Sequence, residues 1–199
     1  MLWMVVFRSR NKDNTNIQGF NERKQSFLVE LPWMPRIGYL SDKFNKFISE
    51  GKQGEVSRCY VSVNPRSAEK TKKALMHYLI DNEVNLCKMR GVVNSLANKD
   101  ENRDKSLGDT WLLDLDDITS EEFFEIEAAI DEAIKKAYEN KKNSTKRFER
   151  VGWVETPNGV HCLCKPFNPN VLNDLEEKHR SKITLIKDGL LLLDSEVKL

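Results

Sequence analysis

Asp114 and Asp116, in Trp111-Leu112-Leu113-Asp114-Leu115-Asp116-Asp117, are the residues whose types and spacing point most directly to chemistry. An extended strand alternates its side chains between two faces, so both carboxylates project from one face while Trp111, Leu113 and Leu115 take the other. Two hard oxygen ligands at a strand end suit a divalent cation such as Mg²⁺ or Mn²⁺. Further along, Thr156-Pro157-Asn158-Gly159-Val160-His161-Cys162-Leu163-Cys164-Lys165-Pro166 reads as a second strand. Its His161, Leu163 and Lys165 share one face, and Cys162 and Cys164 share the other. Side by side, the two strands would offer two acids and an imidazole to one phosphate-sized space. Zinc is another reading of His161-Cys162-Leu163-Cys164, but the thiols face away from the imidazole and the paired spacings of zinc knuckles are absent. Plainer roles exist as well. Acids near a strand end can cap the next helix, as Asp117-Ile118-Thr119 invites, and a lone histidine can be a satisfied core or surface residue.

The elements that must hold these groups mix helix and strand. Residues 3–7 and 26–31 look like strands whose pairing is undecided, with a polar loop between them. Ser41 can cap a helix carrying Phe44, Phe47 and Ile48 and ending at Gly51. Residues 57–63 alternate as a strand, and Leu75, Tyr78 and Leu79 mark a helix to about Asn82, whereas residues 98–105 should form a solvated loop. After the acidic strand, Thr119 and Glu122 match a capping box. A stripe of Phe123, Ile126, Ile130, Ala133, Ile134 and Ala137 follows, and Lys135, Lys136, Lys141 and Lys142 crowd the C-terminal end. Residues 151–155 and 160–165 form a hairpin around Pro157 and Gly159. Asn168 and Pro169 open a short helix to about His179. Strands at 183–186 and 190–193 then flank Asp188-Gly189, a favoured two-residue turn. This order of elements predicts an α+β sandwich.

With 199 residues, 39% hydrophobic and 32% charged, the chain has enough apolar material for one domain with a real core. A formal net charge of +1 provides no whole-molecule field for nucleic acid, so such binding would depend on local patches. The run of Lys141, Lys142, Lys146, Arg147 and Arg150 is one such patch, or simply a solvated face. No stretch has membrane-spanning length, and the apolar opening lacks a basic leader and a cleavage site. The four cysteines are therefore expected to be reduced thiols of a cytoplasmic protein without membrane partners.

Hydrophobic-hydrophobic-Asp-hydrophobic-Asp on a strand, then a helix, then Gly159-Val160-His161 entering a hydrophobic strand, resembles the first two motifs of the archaeo-eukaryotic primase superfamily. That superfamily includes the primase small subunit and the primase-polymerases. The resemblance implies a two-layer, RRM-related catalytic core with a mixed or antiparallel sheet over residues 57–194. Residues 1–56 would be an N-terminal elaboration of a single domain. It also implies that Asp114 and Asp116 bind metal and that His161 contacts a nucleotide phosphate. The segment from Arg58 to Ser67 loosely resembles the arginine-bearing strand of such proteins, so Arg58 or Arg66, with Lys165, would hold the triphosphate tail. The superfamily's third acid would fall on a later strand. Threonine, Thr184, stands in that stretch, with Asp188 or Asp194 as substitutes, although Asp188 by itself reads as a turn residue.

The implied activity is metal-dependent nucleotidyl transfer from nucleoside triphosphates on a DNA or RNA template, in a prokaryotic or phage-infected cell. A chain this short leaves no room for a helicase, so priming would call on a replication partner protein or be limited to short products. The alternatives are a nucleotide- or nucleic-acid-binding module of the same fold without turnover, and a small viral interaction protein.

Overall fold

The computed structural model describes residues 1–83, 85–138 and 147–198, so Lys141, Lys142 and Lys146 lie outside the described residues. The chain divides into two compact units, residues 1–108 with 190–199 and residues 109–189. The division by contacts thus falls at 108/109 and 189/190, and not at residue 56. In the larger unit β1 (Leu2–Ser9) and β2 (Arg23–Glu30) form an antiparallel pair, β3 (Val56–Ser62) adds to β1, and β8 (Leu190–Val197) closes the sheet in the order β2-β1-β3-β8. Phe7 organises one layer of its core, with ring centroids 5.2 Å from Phe27, 5.2 Å from Phe44 and 5.7 Å from Phe47.

Helix α1 (Ile37–Ser49) carries Phe44 and Phe47 inward as the apolar spacing requires. It starts just after Pro35, and Ser41 lies inside it, its Oγ donating to Gly38 O at 3.1 Å. Arg36 stands at the N-cap, and no side chain caps the helix there. Helix α2 (Ala68–Asp81) begins at Ser67, whose Oγ accepts from Lys70 N at 3.2 Å. A further helix, α3 (Met89–Ala97), follows a 3₁₀ turn at Leu86–Lys88. The polar run at 98–105 is not simply solvated. Asn102 is buried, its Nδ2 donating to Leu96 O at 2.8 Å and its carbonyl accepting from Ser67 N at 2.8 Å. Its side-chain amide satisfies the end of α3, a task that keeps a polar residue inside.

The smaller unit runs β4 (Trp111–Asp116), α4 (Ser120–Tyr138), β5 (Arg150–Thr156), β6 (Gly159–Cys164), a 3₁₀ segment at Pro169–Asp174, α5 (Glu177–Arg180) and β7 (Ile183–Ile186). Its sheet is ordered β5-β6-β4-β7 with every neighbouring pair antiparallel. Strands β4 and β5 are joined through α4 with β6 inserted between them, and β6 and β7 flank β4. This is a split βαβ arrangement made twice. Leu113, Leu115, Val160, Cys162 and Cys164 pack with Phe123, Ile126, Ile130 and Ile134 of α4 and with Val171, so the helical layer covers one face of the sheet. The fold is α+β, with antiparallel sheets in both units.

The expected hairpin at 183–193 does not form. Strand β7 pairs with β4 and β8 pairs with β3, in different sheets. Asp188-Gly189 resembles a tight-turn signal, but Gly189 does not adopt the left-handed conformation that a type I′ turn demands. Gly189 instead packs close to β4, where a Cβ would lie 2.8 Å from the Leu112 Cδ2 side-chain tip.

All four cysteines are free thiols, three buried and Cys87 exposed. Burial pushes the Cys59, Cys162 and Cys164 thiols up to about 12. Native protein at pH 8 should therefore release one equivalent of chromophore rapidly from a disulfide thiol reagent, and all four only in denaturant. Rapid reaction of a second thiol would show that the core opens readily. Among the described residues no helix is long and apolar enough to cross a membrane.

Candidate active site

The site is built from the β4–β6 register. Asp114 lies directly opposite His161, and Asp116 opposite Gly159. His161 Nε2 is 3.3 Å from Asp114 Oδ1, with the imidazole 11% and the carboxylate 30% exposed. On the other side of β4, Thr184 of β7 is the partner of Asp114. Strand alternation places Asp114, Asp116, His161 and Thr184 on the face away from α4, and Cys162 and Cys164 on the core face. Imidazole and thiols therefore lie on opposite faces.

The strand end bearing the acids is clamped on two sides. Asp116 N donates to Lys182 O at 3.1 Å, and Asp117 N donates to Asn158 O at 2.7 Å. Asp117 takes a left-handed φ of 54° at this junction, a conformation that short polar side chains tolerate. Helix α4 is capped by its own box. Glu122 N donates to Thr119 Oγ1 at 3.2 Å, and Thr119 N donates to Glu122 Oε2 at 2.9 Å. Capping therefore does not require the acids of β4. Lys182 Nζ donates to Glu122 Oε1 at 2.9 Å, and this bond, with that from Thr119 N, holds the Glu122 carboxyl below its ordinary range.

The hairpin that delivers His161 turns at Pro157-Asn158, with Thr156 opposite Gly159. Gly159 has a φ of +155° and passes so close to β4 that a Cβ would lie 1.9 Å from Leu115 O. That close approach brings His161 level with Asp114.

The register that joins Asp114 to His161 does not include the other residues expected at the site. Asp188 lies in the turn two residues past the end of β7 and Lys165 one residue past the end of β6, both beyond the Trp111 end of β4 and away from Asp116. Thr184, an uncharged residue, occupies the register position where a third acid would complete the set. Asp194 lies on β8 opposite Cys59 in the other unit. Arg58 and Arg66 also belong to that unit. Arg58 pairs with Asp13 at 2.6 Å, and Arg66 Nη2 donates to Asn98 Oδ1 at 3.0 Å. Among the described residues no group of three or more histidine, cysteine or acidic side chains gathers as a metal cage.

Thr184 as the partner of Asp114 could be found only from the register. Helix α3 had a usable signal, apolar residues at 89, 92, 93, 96 and 97, the helical repeat. Comparison with protein-family models, curated proteins and solved structures finds no match to this chain.

Proposed function

We propose that the chain is a metal-dependent nucleotidyltransferase of the primase type, acting on nucleoside triphosphates and a DNA or RNA template. The observation that carries this reading is the cross-strand pair of Asp114 and His161, with Asp116 beside it, on the sheet face away from α4. The split βαβ order of the sheet agrees with an RRM-related core. The donor set fits a hard divalent cation. Two carboxylates share one face, Asp114 partly open and Asp116 exposed, and Mg²⁺ is ordinarily held by one or two carboxylates with water and substrate phosphates supplying the rest. Bound there, Mg²⁺ or Mn²⁺ would neutralise triphosphate charge and lower the pKa of the attacking hydroxyl. His161 orients the Asp114 carboxylate and can donate to a phosphate oxygen. The bonds from Asp116 N and Asp117 N keep the carboxylates from drifting as charge accumulates.

Thr184 favours a second reading, a nucleotide- or nucleic-acid-binding module without turnover, because the position opposite Asp114 on β7 carries no charge. Incorporation of labelled nucleotide into a primed or unprimed template with Mn²⁺ decides between them. Wild type should incorporate, and the Asp114→Ala, Asp116→Ala double variant should fall to background. Equal incorporation by both would end the enzymatic reading. Mn²⁺-dependent nucleotide binding without incorporation would establish the second.

A further inference from the structure

The larger unit contains a cleft of its own, about 780 Å³, between the edge strand β2 and helices α2 and α3. Lys24 of β2, Lys88 of the 3₁₀ turn, Arg90 of α3 and Lys99 just beyond it line the cleft, and among the described residues no aspartate or glutamate does. Lys99 lies 3.9 Å from Glu101, whereas Lys24, Lys88 and Arg90 pair with no carboxylate among the described residues. Like charges around one concavity repel each other and raise the local concentration of anions. The half-buried Tyr78 adds an aromatic wall, and Asn94 anchors the floor, its Nδ2 donating to Ser26 O at 2.9 Å.

Lys24 comes from β2 and the other three cations from the stretch through the 3₁₀ turn and α3, so two segments of the fold supply positive charge to one concavity, a supply that suits a chain of phosphates. Cations tracking a backbone beside an aromatic side chain are the usual means of holding unpaired bases. We propose that this cleft binds the phosphate backbone of a single-stranded nucleic acid, with Tyr78 stacking on a base. That the polyanion is nucleic acid rests on the nucleotidyltransferase reading above; the cationic cleft itself does not.

The test is fluorescence anisotropy of an oligothymidylate of about twenty nucleotides with the full chain in EDTA, titrated with salt. Wild-type affinity should fall steeply as salt rises. The Lys88→Ala, Arg90→Ala variant should bind more weakly, with the slope of log K against log salt reduced by about 1.4, or about 0.7 per lost phosphate contact. Both side chains are exposed, and an unchanged melting temperature would verify that the variant is folded. Identical affinity and slope in the variant would overturn the proposal, as would displacement of the strand by free nucleoside triphosphate at equal phosphate concentration.

Two further arms separate this proposal from the catalytic one. The Asp114→Ala, Asp116→Ala variant should bind the strand as wild type does while incorporating nothing. Strand binding through the cleft by a wild type that incorporates no nucleotide would end the catalytic reading and leave this one standing. Unchanged strand binding by the Lys88→Ala, Arg90→Ala variant of a protein that does incorporate would end this one alone.

Discussion

Gly159→Ala is expected to destabilise the smaller unit by about 3 kcal/mol or more, the range of severe steric and backbone-strain substitutions. The new Cβ would lie 1.9 Å from Leu115 O and 3.0 Å from Leu115 C, inside any van der Waals contact, and the atoms it meets are backbone. No side-chain rotation relieves that clash, so β4 and β6 must separate where Asp116 faces Gly159. The movement would also part Asp114 from His161. Urea unfolding of the variant beside wild type measures the cost. Gly152→Ala is the control, because a Cβ there meets nothing within 4 Å, and it should change stability by no more than about 0.5 kcal/mol. A Gly159→Ala protein within about 1 kcal/mol of wild type would mean that the close strand approach is not maintained in solution.

Asp114→Ala is expected to lower Mn²⁺ affinity by at least the roughly 10–100-fold that loss of a supporting residue costs at metal sites, since it would remove a ligand outright. Stability should change by only about 1 kcal/mol, the scale of a partly exposed ion pair, because the carboxylate is 30% exposed. Thr184→Asp tests the same geometry in the opposite direction. Position 184 is exposed and directly opposite Asp114, so a carboxylate there would join the existing pair and strengthen Mn²⁺ binding. Without metal it would crowd like charges and lower the melting temperature. Calorimetric titration of wild type and both variants measures this. Equal Mn²⁺ affinity in all three would remove the metal from this face, and unfolding of Asp114→Ala would make the acid a structural element.

What depends on near neighbours was readable from the sequence. Alternation along residues 111–116 put Asp114 and Asp116 on one face, and the capping box of Thr119 and Glu122 located the start of α4. Pro157 and Gly159 marked the turn that presents His161. Each of these follows from backbone geometry over a few residues. Tertiary structure alone decided which strands became neighbours. Asp188-Gly189 carries the local signature of a hairpin, yet β7 and β8 enter different sheets, because β7 pairs with β4 and β8 pairs with β3. The same pairing set Thr184 against Asp114 and left Asp188 beyond the Trp111 end of β4. Strand register is fixed by long-range hydrogen bonding and side-chain burial, and residue spacing along the chain does not encode it locally.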